Sequence, residues 1–356
     1  MIARFFVLLA VFAYPFYSLS AAPSAGAMQI LFIPSDPLAF ALGGDNAVLD
    51  GGIAVNPALL LNRTRPEVTA GMTQWWEGVK VQKISVYLPL TGAVVFGASA
   101  VSADYGDIEG YSALDAPMGQ VQAGYSLTTF GLGYRMGKML TGFGLMNISE
   151  RLSSENTGSA EAFIFASAFE LRKFKTGFSY LIPSGKISYG EGSSEQKIPS
   201  ILRAGLSFRI YMLGIFFGMT MPSPGDGFQT LGAEILMMDC LKLRAGINTV
   251  DSVIGSSAGF SLLFEKVSID YAYGSAEFGS AIQSVAVSLQ FGYSTLKSRL
   301  YSEAKRLFKQ GFYDQSQERI KEVLILDPNH LKAKILGAKI AEIIAQIENS
   351  SKEEVK

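Results

Sequence analysis

The chain has a single cysteine, Cys240, and a single histidine, His330, among its 356 residues. One cysteine excludes an internal disulfide framework. One histidine excludes a histidine-based triad, a zinc site built from several histidines and a Cys/His cluster. Charged residues make up only 17% of the chain, against about 25% in soluble domains, and the net charge of -1 points away from nucleic acid. The composition leaves a carboxylate-only active site open, but no residues single one out, so we expect no catalytic residue, no metal or cofactor, and no enzymatic activity.

Long hydrophobic runs are also missing once the N-terminus has passed. The mean hydropathy is positive, yet no segment approaches the roughly 18 uninterrupted apolar residues of a membrane-spanning helix. Residues 211–221 come closest, and Gly214 and Gly218 interrupt them. The 37 glycines of the chain would weaken helices further. Because a closed β-barrel is the other structure that satisfies every backbone group in lipid, the composition favours a barrel.

Residues 1–22 have the pattern of a secretory signal peptide. Arg4 provides the positive charge, residues 5–16 form the apolar stretch, and Ser18, Ser20 and Ala22 are the small residues that precede cleavage. No cysteine lies nearby to carry a lipid anchor. The sequence predicts an exported protein.

Short segments in which apolar residues alternate with small or polar ones run from about residue 67 to residue 293. Such a period of two places alternate side chains on opposite faces of a strand. A soluble β-sandwich or propeller also alternates, but its outer face would be charged, whereas the second face here is mostly Gly, Ala and Ser. The pattern predicts an all-β transmembrane barrel in contact with the lipid bilayer, in the outer membrane of a diderm bacterium. In the last segment Val285, Val287, Leu289 and Phe291 alternate with Ala286, Ser288, Gln290 and Gly292.

Connections divide the barrel region into about fourteen antiparallel strands. Tight turns alternate with longer loops rich in Gly, Ser and Asp, of which 102–125 and 183–199 are the longest. Outer-membrane barrels have short turns on the periplasmic side, so we expect both barrel ends there. The predicted strands are 67–76, 79–88, 91–101, 126–136, 139–149, 160–171, 173–182, 200–209, 211–221, 227–237, 241–249, 255–264, 267–274 and 281–293.

Charged and amide side chains fall on the face opposite the aromatic residues. A charge facing lipid at the midplane costs about 2–4 kcal/mol, so these residues are expected in the lumen or near an interface. A three-residue turn at 238–240 would place Glu234 opposite Arg244, where the two can pair. These side chains either fill and cross-link the lumen or provide a polar lining for a solute. The lumen candidates are Arg135, Arg203, Glu234, Lys242, Arg244, Asp270 and Gln290.

Two further regions flank the barrel. Residues 28–66 contain four glycines and Asn56-Pro57 without sustained alternation, which predicts an N-terminal hatch or plug. Residues 297–348 are rich in Lys, Glu and Gln and helical in period, with the spacing of one tetratricopeptide (TPR) unit of about 34 residues followed by a helix. This unit either packs under the barrel or binds a periplasmic protein or a second copy. The candidate partner-binding residues are Leu307, Tyr313, Ile320 and Leu324.

Short motifs occur in a fixed order along the chain: residues 42–44, Asp50 and 56–59 in the predicted hatch, and 231–234, 243–246 and 269–273 near the end of the predicted barrel. In this order and spacing they resemble the PorV/PorQ family of outer-membrane proteins, which belongs with the FadL-like barrels. Membership implies a 14-stranded barrel with an N-terminal hatch that carries an Asn-Pro-Ala element. Here that element is Asn56, Pro57 and Ala58.

The resemblance implies two alternative functions. FadL-type members pass hydrophobic small molecules, such as long-chain fatty acids, across the outer membrane without an energy source. PorV-type members assist a protein-secretion system. Transport is the leading hypothesis, because the hatch and the aromatic-rich barrel suit a hydrophobic ligand. A secretion accessory or a scaffold for a periplasmic partner, acting through the helical tail, is the alternative.

Overall fold

The structure, a computed structural model, describes residues 31–75, 78–111, 117–152, 156–171, 173–189, 195–237, 240–250, 253–264, 266–275, 281–292, 296–309 and 311–353. The predicted signal peptide, 1–22, and the first residues of the predicted hatch lie outside these ranges.

A closed barrel of fourteen antiparallel strands forms the body of the molecule, so the predicted fold class and strand number are confirmed. Each strand pairs with the next along the chain, and the first strand pairs with the last, from Glu67 opposite Gln290 to Gln74 opposite Gln283, which leaves no free edge. A two-stranded hairpin, β8 (Lys186–Ile187) and β9 (Gln196–Lys197), interrupts the order. The barrel strands are β1 (Glu67–Gln74), β2 (Lys80–Pro89), β3 (Val94–Tyr111), β4 (Pro117–Met136), β5 (Met139–Arg151), β6 (Thr157–Glu170), β7 (Phe174–Pro183), β10 (Ser200–Ile210), β11 (Leu213–Ser223), β12 (Phe228–Met237), β13 (Leu241–Val250), β14 (Val253–Leu263), β15 (Val267–Ser275) and β16 (Ala281–Gln290).

The two ends of the barrel differ. At one end, here called the turn end, β4–β5, β6–β7 and β10–β11 are joined by two or three residues, and both barrel termini lie there. The opposite end, here called the loop end, carries β8 and β9 and the long β3–β4 hairpin. The prediction that 102–125 is a loop is wrong, because β3 and β4 stay paired out to Tyr111 opposite Pro117. Cross-strand pairing there overrides the weak strand preference of Gly and Asp.

Aromatic and aliphatic side chains cover the outside of the barrel, as the alternation predicts. Phe130, Leu132 and Tyr134 on β4 are 48%, 45% and 48% exposed, while Leu127 and Thr129 on the inner face are buried. Phe143 and Phe165 extend the outer surface on β5 and β6 in an edge-to-face contact. The outside is apolar, whereas the buried charged side chains among the described strand residues lie inside, so this outer surface suits contact with the bilayer.

The described chain also contains four α-helices: a short α1 (Pro37–Ala41) in the hatch, and α2 (Leu296–Lys309), α3 (Tyr313–Leu326) and α4 (Leu331–Glu353) after the barrel. The last three pack around Ala304, Ile320, Val323 and Ile340. They occupy the region where helices were predicted; their interpretation as a TPR unit stays a prediction. Among the residues that the structure describes, no helix has the length and apolarity to cross a bilayer.

Candidate functional site

The hatch lies inside the barrel and follows its inner wall. Its described part runs from Leu31 near the loop end, places α1 against β13 to β16, and crosses to β3 to β6 as a 3-10 helix, η1 (Pro57–Asn62). Asp36 caps α1 by accepting a hydrogen bond from the Leu38 amide at 3.0 Å, and Pro37 fits the first helical position. The lumen is therefore occupied by the chain's own N-terminal segment.

The Asn56-Pro57-Ala58 element fixes the fold of the hatch. The Asn56 side chain, 1% exposed, accepts a hydrogen bond from the Ala58 amide at 3.0 Å and donates one to the Ala47 carbonyl at 2.5 Å. The first bond caps η1, which Pro57 then begins. The second bond ties η1 to the segment nine residues earlier. The structure thus gives this element a positioning role within the hatch.

Glycines on the inner face of the barrel, among them Gly142, Gly205 and Gly246, let the hatch lie with its backbone against the wall, and we call them the glycine belt. A Cβ at Gly142 would lie 2.2 Å from the Ala58 amide nitrogen, and one at Gly246 would lie 2.2 Å from the Gly43 nitrogen. At Gly205 it would lie 2.1 Å from the Asn46 Oδ1. No side chain fits at such separations, so the belt is a steric requirement of the hatch. Several of these glycines pair across neighbouring strands: Gly97 with Gly131, Gly133 with Gly142, Gly177 with Gly205, Gly205 with Gly218, and Gly232 with Gly246.

Four of the predicted lumen residues form one network near the turn end. Glu234 and Arg244 face each other in the register, with 2.9 Å between Oε2 and Nε, so their predicted pairing is confirmed. Arg244 also reaches Asp270 at 3.4 Å, and Lys242 lies 3.7 Å from Glu234. Arg209, which is 3.0 Å from Glu234, joins them. The network cross-links β10 and β12 to β15 beneath the hatch.

The other predicted lumen residues lie apart from this network. Arg135 contacts the Leu61 carbonyl of the hatch at 3.4 Å and Glu170 at 3.7 Å. Gln290 donates to Glu67 at 2.8 Å, where the barrel closes. These contacts fasten the end of the hatch and the seam of the barrel.

Arg203 belongs to a third group, in which the structure adds residues that were not predicted. It is 3% exposed and donates to the Leu31 carbonyl at 3.2 Å. Lys83 lies 3.0 Å from Asp36 and is 7% exposed. Burial raises the pKa of Asp45 to about 6, and the charges of Arg203 and Lys83 oppose this shift. Lys83 lies on the inner face of β2 together with Val81, so the alternation of this strand could have identified it as a lumen residue. Asp36 and Asp45 lie in the hatch, where no periodic pattern points to them.

An apolar cluster fills the lumen between the hatch and the loop end. Its wall is built from inward-facing residues of β2 to β10, and Leu31 contributes from the hatch. Here the lumen differs from the polar lining that was considered for it, because these inner positions carry large aliphatic side chains. The wall residues include Val81, Val101, Leu127, Met146, Ile148, Ile164, Leu181 and Ile201.

Residues 184–189 and 195–199, the parts of this connection that the structure describes, close the cluster from the loop end, and we call them the lid. Ile187, Tyr189 and Ile198 of the lid are 0%, 7% and 4% exposed and pack into the cluster. The Tyr189 hydroxyl donates to the Glu150 carboxylate on β5, and this buried hydrogen bond ties the lid to the wall. In this structure the apolar part of the lumen is therefore closed by the lid on one side and the hatch on the other.

The predicted partner-binding residues lie inside the helical unit. Leu307 and Ile320 are 8% and 2% exposed. Tyr313 and Leu324 pack against the core formed by α2, α3 and α4. Leu307 and Ile320 therefore pack within the unit, Tyr313 and Leu324 are half-buried, and the partner-binding role of the four residues stays a prediction.

Comparisons with known proteins define the class of the fold. The Pseudomonas putida toluene transporter TodX superposes with a TM-score of 0.55 at 12% identity, over 71% of this chain and 96% of that chain. The Ralstonia pickettii toluene transporter TbuX gives 0.52 at 12% identity, over 72% and 98%. A Pseudomonas aeruginosa FadL homologue gives 0.53 at 10% identity, over 73% and 99%. This chain has the fold of the FadL-like outer-membrane barrels.

Sequence comparison adds no family. No protein-family model matches the chain, and no curated protein matches it in sequence. At 10–12% identity the structural likeness establishes the fold and leaves the ligand to be argued from the lumen itself.

Proposed function

We propose that this protein lets hydrophobic small molecules, such as long-chain fatty acids or hydrocarbons, pass through the outer membrane without an energy source. The apolar cluster between lid and hatch is the observation that supports it. Transfer of each CH₂ from water to such surroundings is favourable by about 0.8 kcal/mol. A hydrocarbon guest therefore gains from contact with Val101, Leu127 and Met146, where a sugar or an ion would lose hydration.

Passage requires the lid and the hatch to move, because both occupy the lumen in this structure. The lid is held by its three apolar side chains and by the bond from Tyr189 to Glu150. A guest that replaces Ile187 and Ile198 in the cluster would offset the cost of opening the lid. The hatch contacts many wall strands through the glycine belt, so we expect it to move after the lid.

Uptake into cells that have no other hydrophobic transporter tests this proposal. Expression of the chain is expected to raise the initial rate of entry of radiolabelled oleate or toluene several-fold over an empty vector, while sucrose entry stays unchanged. A variant lacking residues 31–66 is expected to lose this selectivity and to admit sucrose. Equal oleate and toluene entry with and without the protein would rule the proposal out.

The rival proposal is an accessory role in protein secretion, as in PorV-type proteins, or a scaffold for a periplasmic partner. It is motivated by the helices that follow the barrel. A pull-down from envelope extracts, with the full chain compared to a variant that ends at residue 293, separates the two. Partners that depend on the helices, together with unchanged hydrocarbon entry in a deletion strain, would favour the rival.

A further inference from the structure

The helical unit carries an exposed apolar patch at the corner between α3 and α4. Ile325, Leu326, Leu331 and Ile335 are 78%, 52%, 69% and 61% exposed. Leu331 and Ile335 are one turn apart on α4 and so share a face, while Ala333 and Ile340 of the same helix point into the core. The patch is thus separate from the residues that hold the unit together.

This corner lies at the end of the unit that is tied to the barrel. The ammonium of Lys297, in the first turn of α2, is 2.8 Å from the Asp327 carboxylate, which follows α3. Tyr301 of α2 contacts the ring of His330, just before α4, with 5.1 Å between centroids. The start of α2 and the patch are therefore neighbours, whereas Phe312, between α2 and α3, lies at the opposite end of the unit.

The link to the barrel is short enough to hold the patch beside the bilayer. From Phe291, after the last strand, to Leu296, at the start of α2, there are five residue steps, which span at most about 18 Å. Large apolar side chains remain exposed right at the tight turns, so the lipid-facing surface extends to the turn end. These residues, with exposed fractions of 61%, 59%, 60%, 61% and 51%, are Leu90, Met136, Met212, Phe264 and Phe291.

We propose that the patch docks on the surface of the same bilayer that surrounds the barrel, with its apolar side chains at the boundary between headgroups and acyl chains. Lys332 and Lys334 are exposed beside the patch, where their ammonium groups can reach lipid phosphates. A patch of four side chains would bind lipid weakly on its own, but the tether raises its effective concentration at the membrane. This inference is independent of the transport proposal.

Site-specific labelling of the full-length protein in phosphatidylethanolamine/phosphatidylglycerol vesicles tests the docking. In a C240S background, an environment-sensitive fluorophore is placed at I335C or, as a matched control, at F312C, which is likewise apolar and 53% exposed. Lipids brominated close to the headgroup are expected to quench the label at 335 at least about threefold more strongly than the label at 312, as partial insertion requires. A second substitution, L331E, is expected to abolish this difference.

Two results would overturn the proposal. Equal quenching at 335 and 312 would show that the patch faces water. Shielding at 335 that rises with the protein-to-lipid ratio and does not respond to brominated lipid would show that a second copy covers it. Both readings use folded, membrane-inserted protein, and a shift in gel migration between unheated and heated samples, as expected of a folded β-barrel, verifies this for each variant.

Discussion

Replacement of Gly142 by alanine tests whether close backbone contact holds the hatch against the wall. Gly142 lies on the inner face of β5, and its φ is outside the left-handed region, so alanine suits its backbone. The added methyl carbon would lie 2.2 Å from the Ala58 nitrogen and 2.4 Å from the Pro57 carbonyl carbon. An ordinary contact begins at about 3.4 Å, so η1 must move by roughly 1.2 Å. The substitution therefore isolates one steric requirement.

Overpacking of this kind costs about 1–3 kcal/mol. We expect the upper part of that range, because the obstacle is backbone held by the two Asn56 hydrogen bonds. If the hatch gives way while the barrel stays closed, the open population of η1 rises by about 5- to 150-fold, since 1.4 kcal/mol is a factor of ten. The free-energy cost of overpacking then lowers the stability of the hatch and leaves the stability of the strands unchanged.

Hydrogen exchange of the peptide that covers residues 53–62 measures this population in the folded barrel. Gly142→Ala should speed exchange there by one to two orders of magnitude and leave β12 to β15 unchanged. Gly92→Ala is the matched control, because a Cβ at Gly92 meets nothing within 4 Å. Equal exchange in the two variants would refute the belt as the anchor of the hatch.

Three further predictions follow from the lumen contacts. Arg244→Met leaves the charge of Asp270 and part of the charge of Glu234 uncompensated, so the free energy of unfolding of the barrel in urea should fall by about 3 kcal/mol. Lys242→Met removes only a 3.7 Å contact and should lower it by less than about 1 kcal/mol. Equal losses in the two variants would contradict the network. The pKa of Asp45 is raised from 3.8 to about 6 in the folded state, so the folded hatch binds more protons than the unfolded chain between these values, and its stability should fall as pH rises from about 4 to 6. Asp45→Asn should flatten this pH dependence of hatch stability, measured by hydrogen exchange. An unchanged slope would show that another group is responsible. Tyr189→Phe removes the hydrogen bond to Glu150 and should destabilise the closed lid by about 1.4 kcal/mol. Trypsin should therefore cut the lid at Lys186 and Lys197 about tenfold faster. An unchanged rate would mean that the apolar side chains alone hold the lid.

The barrel was predictable because its signal is local. Period-two alternation gives the faces, tight turns set the register, and a three-residue turn sufficed to place Glu234 opposite Arg244. The hairpin beyond Val101 was missed, because its strands depend on each other and their composition resembles that of a loop. Composition predicted the hatch but not its path, which is set by contacts such as Asn56 to Ala47 and by the glycine belt. The apolar cluster was also missed, since residues as distant in sequence as Val81 and Ile187 meet only when the barrel closes.

The candidate site was predicted in part, for a similar reason. Charges such as Arg203 and Arg244 stand out against an alternating strand, so they could be assigned to the inner face. Asp36, Asp45 and Glu150 acquire their roles only when the hatch or the lid folds into the barrel. Leu307 and Ile320 show the opposite case: their apolar spacing was visible in the sequence, but only the packing of the folded helices shows that both are buried.

Locking the lid to the wall tests the transport account most directly. A Cβ at Gly158 would lie 2.6 Å from the Ile187 Cγ1, the place that the sulfur of a cysteine at 187 can occupy, so we expect cysteines at these two positions to cross-link. In a C240S background, the G158C/I187C pair should abolish oleate and toluene entry when oxidised and restore it when reduced, while the G158C variant alone should respond to neither treatment. Undiminished entry through the oxidised barrel, with the cross-link verified by mass spectrometry, would contradict passage through the lumen.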